Sequence, residues 1–240
     1  MDDYYATRLN ARRLWQVYET RIERVRRYLR AEILFVERGL SGTERVLELG
    51  CGYGRIMKEI AGRASSVLGI DLSPASVAMG KAYLKECPNC EIRTMDARDL
   101  RLEQEFDLVL CLQNGLSAIR GGAQDLVERS LGVLAAGGRA VFSTYSERFW
   151  EYRLAWFVEQ ADKGLIGEID FERTGNGVVA CKDGFVSRSF SPEELESLAR
   201  RTGRRYRIEE IDDSCLFLVI EAKDGGRRSE KVQAEGSDER

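Results

Sequence analysis

The chain has 240 residues, 43% apolar and 32% charged, with 37 basic against 40 acidic side chains. That length supports one α/β domain with a full core, and the near-balanced charge argues against a nucleic-acid backbone as the main partner. Histidine is absent, which removes Ser-His and Cys-His catalysis, histidine general bases and His-containing metal sites together.

Residues 4–38 read as one long helix, because Tyr18, Ile22, Val25, Leu29, Ile33 and Val36 recur at three- and four-residue steps. The other face carries Arg21, Arg24, Arg26, Arg27 and Arg30, a solvated surface or a contact for RNA or an acidic substrate. With the break at Gly39-Leu-Ser-Gly42, residues 1–42 make an N-terminal helical cap. From there short apolar runs alternate with helical ones. Strands are expected at 45–49, 66–70, 91–95, 106–112 and 139–144, and helices at 55–61, 74–85 and 123–134. Ser73-Pro74 caps the second of these helices, and Ala135-Ala-Gly-Gly138 is expected to end the third in a turn.

After the fifth strand the character changes. Residues 149–161 look helical and hold Trp150, Tyr152, Trp156 and Phe157. Three strand-like runs follow at 169–173, 178–182 and 185–190, separated by the turn signals Asn176-Gly177 and Asp183-Gly184. Ser191-Pro-Glu-Glu194 is a capping box for a helix that stops at Gly203, and 206–211 with 215–221 suit an antiparallel hairpin. The expected fold is α/β and doubly wound, a mostly parallel seven-stranded sheet with a C-terminal antiparallel hairpin, helices on both faces and a small β insert after the fifth strand. This core spans 43–222, with the insert at about 147–190; the polar, aromatic-free residues 223–240 read as a disordered tail.

No apolar run approaches the roughly 18 residues of a membrane helix, and the acidic N-terminus lacks signal-peptide features, so a cytoplasmic chain is expected. Of six cysteines, only Cys87-Pro-Asn-Cys90 is closely spaced. No second such pair completes a zinc site, so no metal is expected and the pair reads as structural or incidental, with a functional thiol pair as the alternative. Cys111 lies in a strand and reads as core.

The decisive segment is Val46-Leu-Glu-Leu-Gly-Cys-Gly-Tyr-Gly-Arg55, which joins the first strand to the first helix. Glycines at 50, 52 and 54 let the backbone turn and approach a ligand, at the strand carboxyl ends where open parallel sheets bind ligands. The dinucleotide spacing Gly-x-Gly-x-x-Gly fails because its third glycine falls on Arg55. An acid ending the second strand, Asp71, is suited to accept both ribose hydroxyls.

The run Glu-x-Gly-x-Gly-x-Gly instead resembles motif I of the class I S-adenosylmethionine-dependent methyltransferases, the type 11/25 small-molecule group. The resemblance covers roughly 45–145 and, more loosely, continues to the hairpin near 221. Asp96 matches the acid that this family places near the adenine amino group, Leu112-Gln113-Asn114 its motif IV beside the transferable methyl, and Leu134-Ala-Ala-Gly-Gly138 its turn before the fifth strand. The resemblance implies S-adenosyl-L-methionine as cofactor, S-adenosyl-L-homocysteine as product, and a cofactor site of Glu48, Gly50, Cys51, Gly52, Gly54, Arg55, Asp71, Leu72, Asp96, Ala97, Leu112, Gln113 and Asn114. A nucleotide-sugar or NAD site is the alternative for the same architecture.

The implied reaction is methyl transfer by in-line displacement, with a catalytic base optional and drawn from carboxylate, Tyr, Lys or thiolate. Gln113-Asn114-Gly115-Leu116 lacks the Asp/Asn-Pro-Pro-aromatic run usual for amino methylation of bases, and no proline precedes a cysteine as carbon-5 pyrimidine methylation commonly requires. The segment at about 147–190 is where the family inserts a substrate cover. Catalytic candidates are Asn114, Tyr145, Trp150 and Tyr152; Tyr145, Trp150 and Tyr152 with Tyr4 or Tyr5 are expected to wall a closed small-molecule pocket, with extra core packing as the alternative for most of these aromatics. Nucleic acid and membrane are disfavoured as partners, and a homodimer is allowed. An RNA or protein methyltransferase and a non-catalytic cofactor-binding module are the competing readings.

Overall fold

The computed structural model describes residues 4–223. A seven-stranded sheet runs in the order β3-β2-β1-β4-β5-β9-β8. It comprises β1 (Arg45–Leu49), β2 (Ser66–Asp71), β3 (Cys90–Thr94), β4 (Phe106–Cys111), β5 (Leu134–Tyr145), β8 (Tyr206–Ile211) and β9 (Cys215–Glu221). The first five are parallel, and β9 pairs antiparallel with both β5 and β8. β1 and β4 are buried on both faces, which is why they read as continuous apolar runs.

Helices cover both faces as right-handed crossovers require. One face carries α3 (Glu23–Arg38), α4 (Arg55–Ile60), α5 (Pro74–Tyr83) and α8 (Trp150–Asp162); the other carries α6 (Gly115–Ala118), α7 (Ala123–Gly132) and α9 (Pro192–Arg201). Chain direction across the sheet reverses between β1 and β4, so the crevice at their carboxyl ends is the switch point where such folds bind ligands. The caps behave as expected. Ser73 accepts from the Ser76 amide with Pro74 behind it, and Ser191 and Glu194 close a reciprocal capping box.

Three expectations need correction. The single helix over 4–38 is instead α1 (Tyr4–Thr7), α2 (Ala11–Tyr18) and α3. It breaks at extended Asn10, and again before α3, where Thr20 Oγ1 accepts from the Ile22 amide and donates to Glu159. Such local side-chain bonds compete with helical pairing. Second, 135–138 is not a turn; β5 starts at Leu134, and a register shift between Phe106 and Leu108 absorbs Gly137 at φ +76°. Third, 169–173 is no strand. Ile169 alone bridges to Cys181, and the Asp170 carboxylate accepts the Glu172 amide to turn the chain. The insert's sheet is therefore only β6 (Val178–Ala180) against β7 (Val186–Arg188), joined through residues 181–185 with Gly184 at φ +94°, while Asn176-Gly177, both at positive φ, lead into β6. Among the described residues no helix is long and apolar enough to cross a membrane. The tail expected at 223–240 lies, beyond Lys223, outside the described residues.

α3 is fastened to the hairpin by apolar and ionic contacts. The Phe35 and Phe217 rings stack with centroids 3.8 Å apart, and Arg24 and Arg27 both bind the Asp212 carboxylate at the hairpin turn. Phe217 is fully buried. Phe217→Ala should cost roughly 3–5 kcal/mol in chemical denaturation by opening a cavity between helix and sheet, while Tyr152→Ala, at a 46% exposed ring, should stay within about 1 kcal/mol.

Candidate active site

At the end of β1 the chain turns through Gly50 and Gly52, at φ +67° and +58°. A side chain at Gly52 would meet Leu14 Cδ2 of α2 at 2.6 Å, so only glycine permits both this turn and the approach of α2. Asp71 at the end of β2 fixes the loop. Its Oδ2 accepts the Gly52 amide at 2.9 Å and its Oδ1 the Ser73 amide at 2.8 Å. Those bonds hold the Asp71 carboxylate against the glycine loop, and neither Asp71 nor Gly52 itself lines the cavities beside it.

Two adjoining cavities open here. The larger, about 120 Å³, is lined by Leu49, Leu72, Asp96, Ala97 and Ile119 and roofed by Tyr5 and Ala6. Asp96 is gripped by the Arg98 guanidinium, which holds its carboxyl below the usual range. The smaller, about 30 Å³, is lined by Glu48, Cys51, Tyr53 and Arg55. Leu14, Tyr18, Gly50, Leu112 and Gln113 line both.

The small cavity holds an unusual charge arrangement. Glu48 Oε2 and Arg55 Nη2 are both buried and have no hydrogen-bond partner. Burial pushes the Glu48 carboxyl up to about 8, with Glu32 and Asp71 adding to it and Arg55 opposing. Arg55 lies over the Tyr18 ring at 4.4 Å and 3.9 Å from the Glu32 carboxylate. Glu32, on α3, is fully buried. Its Oε1 accepts the Gln113 amide at 2.9 Å and the Ser143 hydroxyl, and its Oε2 the Gln113 side-chain amide. Sequence reading missed Glu32. The available signal was a carboxylate one turn from Tyr28, Leu29 and Val36 on a buried helical stripe, where a charge demands partners.

Not every expected site residue meets the cavities. Gly54 instead caps α4 in a left-handed conformation. Asn114 is buried at φ +62°, accepting from Thr144 Oγ1 at 2.8 Å and donating to the Arg188 carbonyl at 2.8 Å, which ties β7 to the sheet. Tyr145 is buried against Tyr28, Phe149 and the Arg153 guanidinium. Trp150 also lies beside Arg153, and Tyr152 packs outward on Phe149 and Arg24. Tyr4 donates to Asp183 at 2.7 Å, whereas Tyr5 reaches the larger cavity. Cys87 and Cys90 are half-buried free thiols, and Cys111 is core. Among the described residues no three His, Cys, Asp or Glu side chains form a group that could hold a metal.

Residues 46–138 match the family model described as a methyltransferase domain. Over this segment, less than half of the chain, the protein is similar to methyltransferase domains. A ubiquinone biosynthesis O-methyltransferase of Acinetobacter baumannii (strain AYE) is 31% identical over 121 residues, covering 49% of this chain and 50% of that one. Its namesake in Coxiella burnetii (strain Dugway 5J108-111) is 26% identical over 117 residues, covering 45% and 47%. The chain thus spans about half the length of these relatives. In three dimensions the methyltransferase fold resembles that of a DhpI-SAM-HEP complex, with TM-score 0.62, 22% identity and 90% and 94% coverage. It also resembles the N-methyltransferase NodS from Bradyrhizobium japonicum WM9 with S-adenosyl-l-homocysteine, with TM-score 0.59, 16% identity and 93% and 100% coverage. The [4+2]-cyclase SpnF shares the fold as well, at TM-score 0.59 and 16% identity over 82% of this chain and 81% of that one.

The raised Glu48 carboxyl has a consequence for stability. The folded chain holds a proton that the unfolded chain releases near the usual carboxylate range, so this contribution to stability is full below about pH 4.5 and is lost as pH rises to about 8. Glu48→Gln should flatten the decline in urea midpoint between about pH 5 and 8, measured against the parent chain.

Proposed function

We propose that this chain binds S-adenosyl-L-methionine across the two cavities and transfers its methyl group to a small-molecule acceptor. The observation that carries this reading is the pair of buried side-chain atoms left without a hydrogen-bond partner in the small cavity, Arg55 Nη2 and Glu48 Oε2. An unpaired buried guanidinium and carboxyl are costly, and an α-amino acid end satisfies both, its carboxylate on Arg55 and its ammonium on Glu48. The neighbouring residues fit the rest of that ligand. Asp71 would accept the ribose hydroxyls, Asp96 with Ala97 the adenine edge, and Leu72 with Ile119 the adenine faces.

When bound, S-adenosyl-L-methionine supplies a methyl group on a sulfonium that leaves as a neutral thioether. The chain's own share is then binding, orientation and exclusion of water. Alignment alone is worth about 7–11 kcal/mol. Tyr5, Leu14 and Tyr18 close the crevice from above, so α1 and α2 keep water from the reacting centre. A second reading, an RNA acceptor bound by the arginines of α3, loses its main support. Arg24 and Arg27 are engaged by Asp212, and Arg30 by Glu37 and Glu59.

Calorimetric titration tests the assignment. S-adenosyl-L-methionine and S-adenosyl-L-homocysteine should bind with micromolar affinity and NAD should not. Asp71→Ala and Arg55→Met should each weaken binding by roughly 2–3 kcal/mol, the scale of a hydrogen bond to a charged group left unmade. Binding of NAD in place of the sulfur ligands would overturn the proposal.

A further inference from the structure

The position of the sulfonium follows from the cavities, taking the proposed function as given. A ligand with its nucleoside in one cavity and its amino-acid end in the other carries the joining sulfur past the residues that line both: Leu14, Tyr18, Gly50, Leu112 and Gln113. Only Tyr18 and Gln113 offer polar side-chain atoms there. Tyr18 lies beneath the Arg55 guanidinium, which leaves Gln113 as the amide at the reacting centre.

The Gln113 amide is held in one orientation. Its Nε2 donates to the Tyr28 hydroxyl at 3.2 Å and to Glu32 Oε2. Glu32 receives donors on every side: the Gln113 main-chain amide, the Ser143 hydroxyl and the nearby Arg55 guanidinium. A carboxylate so surrounded accepts only, so it must face the NH2 end of the amide and not the carbonyl end. Both amide protons are then used, and the carbonyl Oε1 is the end of the amide that remains to accept. The backbone is held as firmly. Gln113 and Asn114 sit at φ +52° and +62°, a left-handed pair costly for side-chain-bearing residues. Bonds from α3, β5 and β7 keep them there.

We propose that Gln113 Oε1 receives the hydrogen of the acceptor atom, with Glu32 as the positioning residue that keeps the amide turned, so that the substrate is an O–H or N–H compound. Accepting that hydrogen points the lone pair of the same oxygen or nitrogen at the methyl carbon. The new bond forms from that atom to carbon as the carbon–sulfur bond breaks and its electron pair stays on sulfur. The proton stays on the methylated atom, hydrogen-bonded to Oε1, and is lost once the product reaches solvent, since an amide is too weak a base to take it. Acceptors without such a hydrogen, thioethers and tertiary amines, gain nothing from this arrangement and leave Oε1 desolvated and unpaired.

Two measurements on the full chain test this. In the first, glutamine side-chain nitrogens are labelled with nitrogen-15 and Gln113 is assigned by its loss in Gln113→Met. Its two amide protons should be well separated and protected from exchange, and Glu32→Gln should reduce that protection by roughly tenfold or more. A freely exchanging amide in the parent chain overturns the proposal whether or not any substrate is known. In the second, tritiated methyl from S-adenosyl-L-methionine is counted on catechol and ethanolamine as hydrogen-bearing probes, and on dimethyl sulfide and trimethylamine as probes without one. Turnover should be confined to the first two. Gln113→Met should lower kcat/KM by roughly tenfold or more, mainly in kcat. Methylation of the sulfide or the tertiary amine, or turnover indifferent to Gln113→Met, overturns the proposal. Failure of S-adenosyl-L-homocysteine to bind the parent chain would instead refute the cofactor assignment and leave the amide measurement to be read by itself.

Discussion

The Glu32 carboxylate is the point on which the rest of the site depends. It is fully buried on α3, yet it touches three other elements: Gln113 after β4, Ser143 on β5 and Arg55 on α4. Removing a carboxylate from water costs several kcal/mol even after the surroundings relax. Apolar replacements of such buried ionic groups are often as stable as the originals. A charge at this position is therefore poorly explained as a source of stability. It is well explained as a registration device, because a single acid with directional bonds fixes the helix against the sheet at the switch point and sets the turn that follows β4.

Outside the segment matched by the methyltransferase model, the chain builds a strap and an insert that meet over the crevice. α2 binds the glycine loop through Leu14, rests Trp15 against Tyr53 and Tyr83, and donates the Ala11 amide to Ser76 on α5. The same short segment reaches the insert, where Arg13 donates to the Gly164 and Leu165 carbonyls and Tyr4 to Asp183. One strap thus couples the cofactor crevice to the insert after β5. The insert is joined in turn to the β4 turn through Asn114 and to α8 through Arg153, which donates to the Gly177 and Ser187 carbonyls. Differences in acceptor between relatives belong in these segments, because the crevice itself is set by the sheet.

The sheet was legible because its determinants are local. Apolar runs bounded by glycine, the Ser73-Pro74 cap and the Ser191 to Glu194 box each act within a few residues and appear in the structure as expected. Glu48, Gly50, Leu72, Asp96, Ala97, Leu112 and Gln113 likewise meet at the cavities because strand carboxyl ends converge by topology. What could not be read depends on contacts far apart in sequence. The partners of Glu32 lie 81 and 111 positions away, and nothing near Glu32 announces them. The setting of the aromatic candidates depends on tertiary contacts in the same way. Tyr145 and Trp150 look like pocket walls in a list of residues, but Arg153 of the same helical segment draws both into a buried cation–aromatic cluster. The long helix failed because periodicity continues through Asn10 and Thr20, whereas their side chains terminate it.

On the proposed function, the charges at the crevice floor give a chain without histidine a way to hold a cationic ligand. Arg55 stands between Glu32 and Glu48, and burial leaves Glu48 protonated at neutral pH. Arg55 thus faces a carboxyl, Glu48, that burial shifts toward its neutral form. An amino-acid end adds an ammonium beside Glu48 and a carboxylate beside Arg55, which sum to zero. The ammonium favours ionised Glu48, because an opposite charge at close range lowers a carboxyl pKa. The negative charge so created offsets the sulfonium. Methyl transfer then removes the sulfonium charge and with it that compensation, which favours release of the neutral thioether over retention. On this account the floor's titratable groups serve to balance charge around the donor. The hydrogen on the acceptor is managed separately, by an amide that neither gains nor loses a proton.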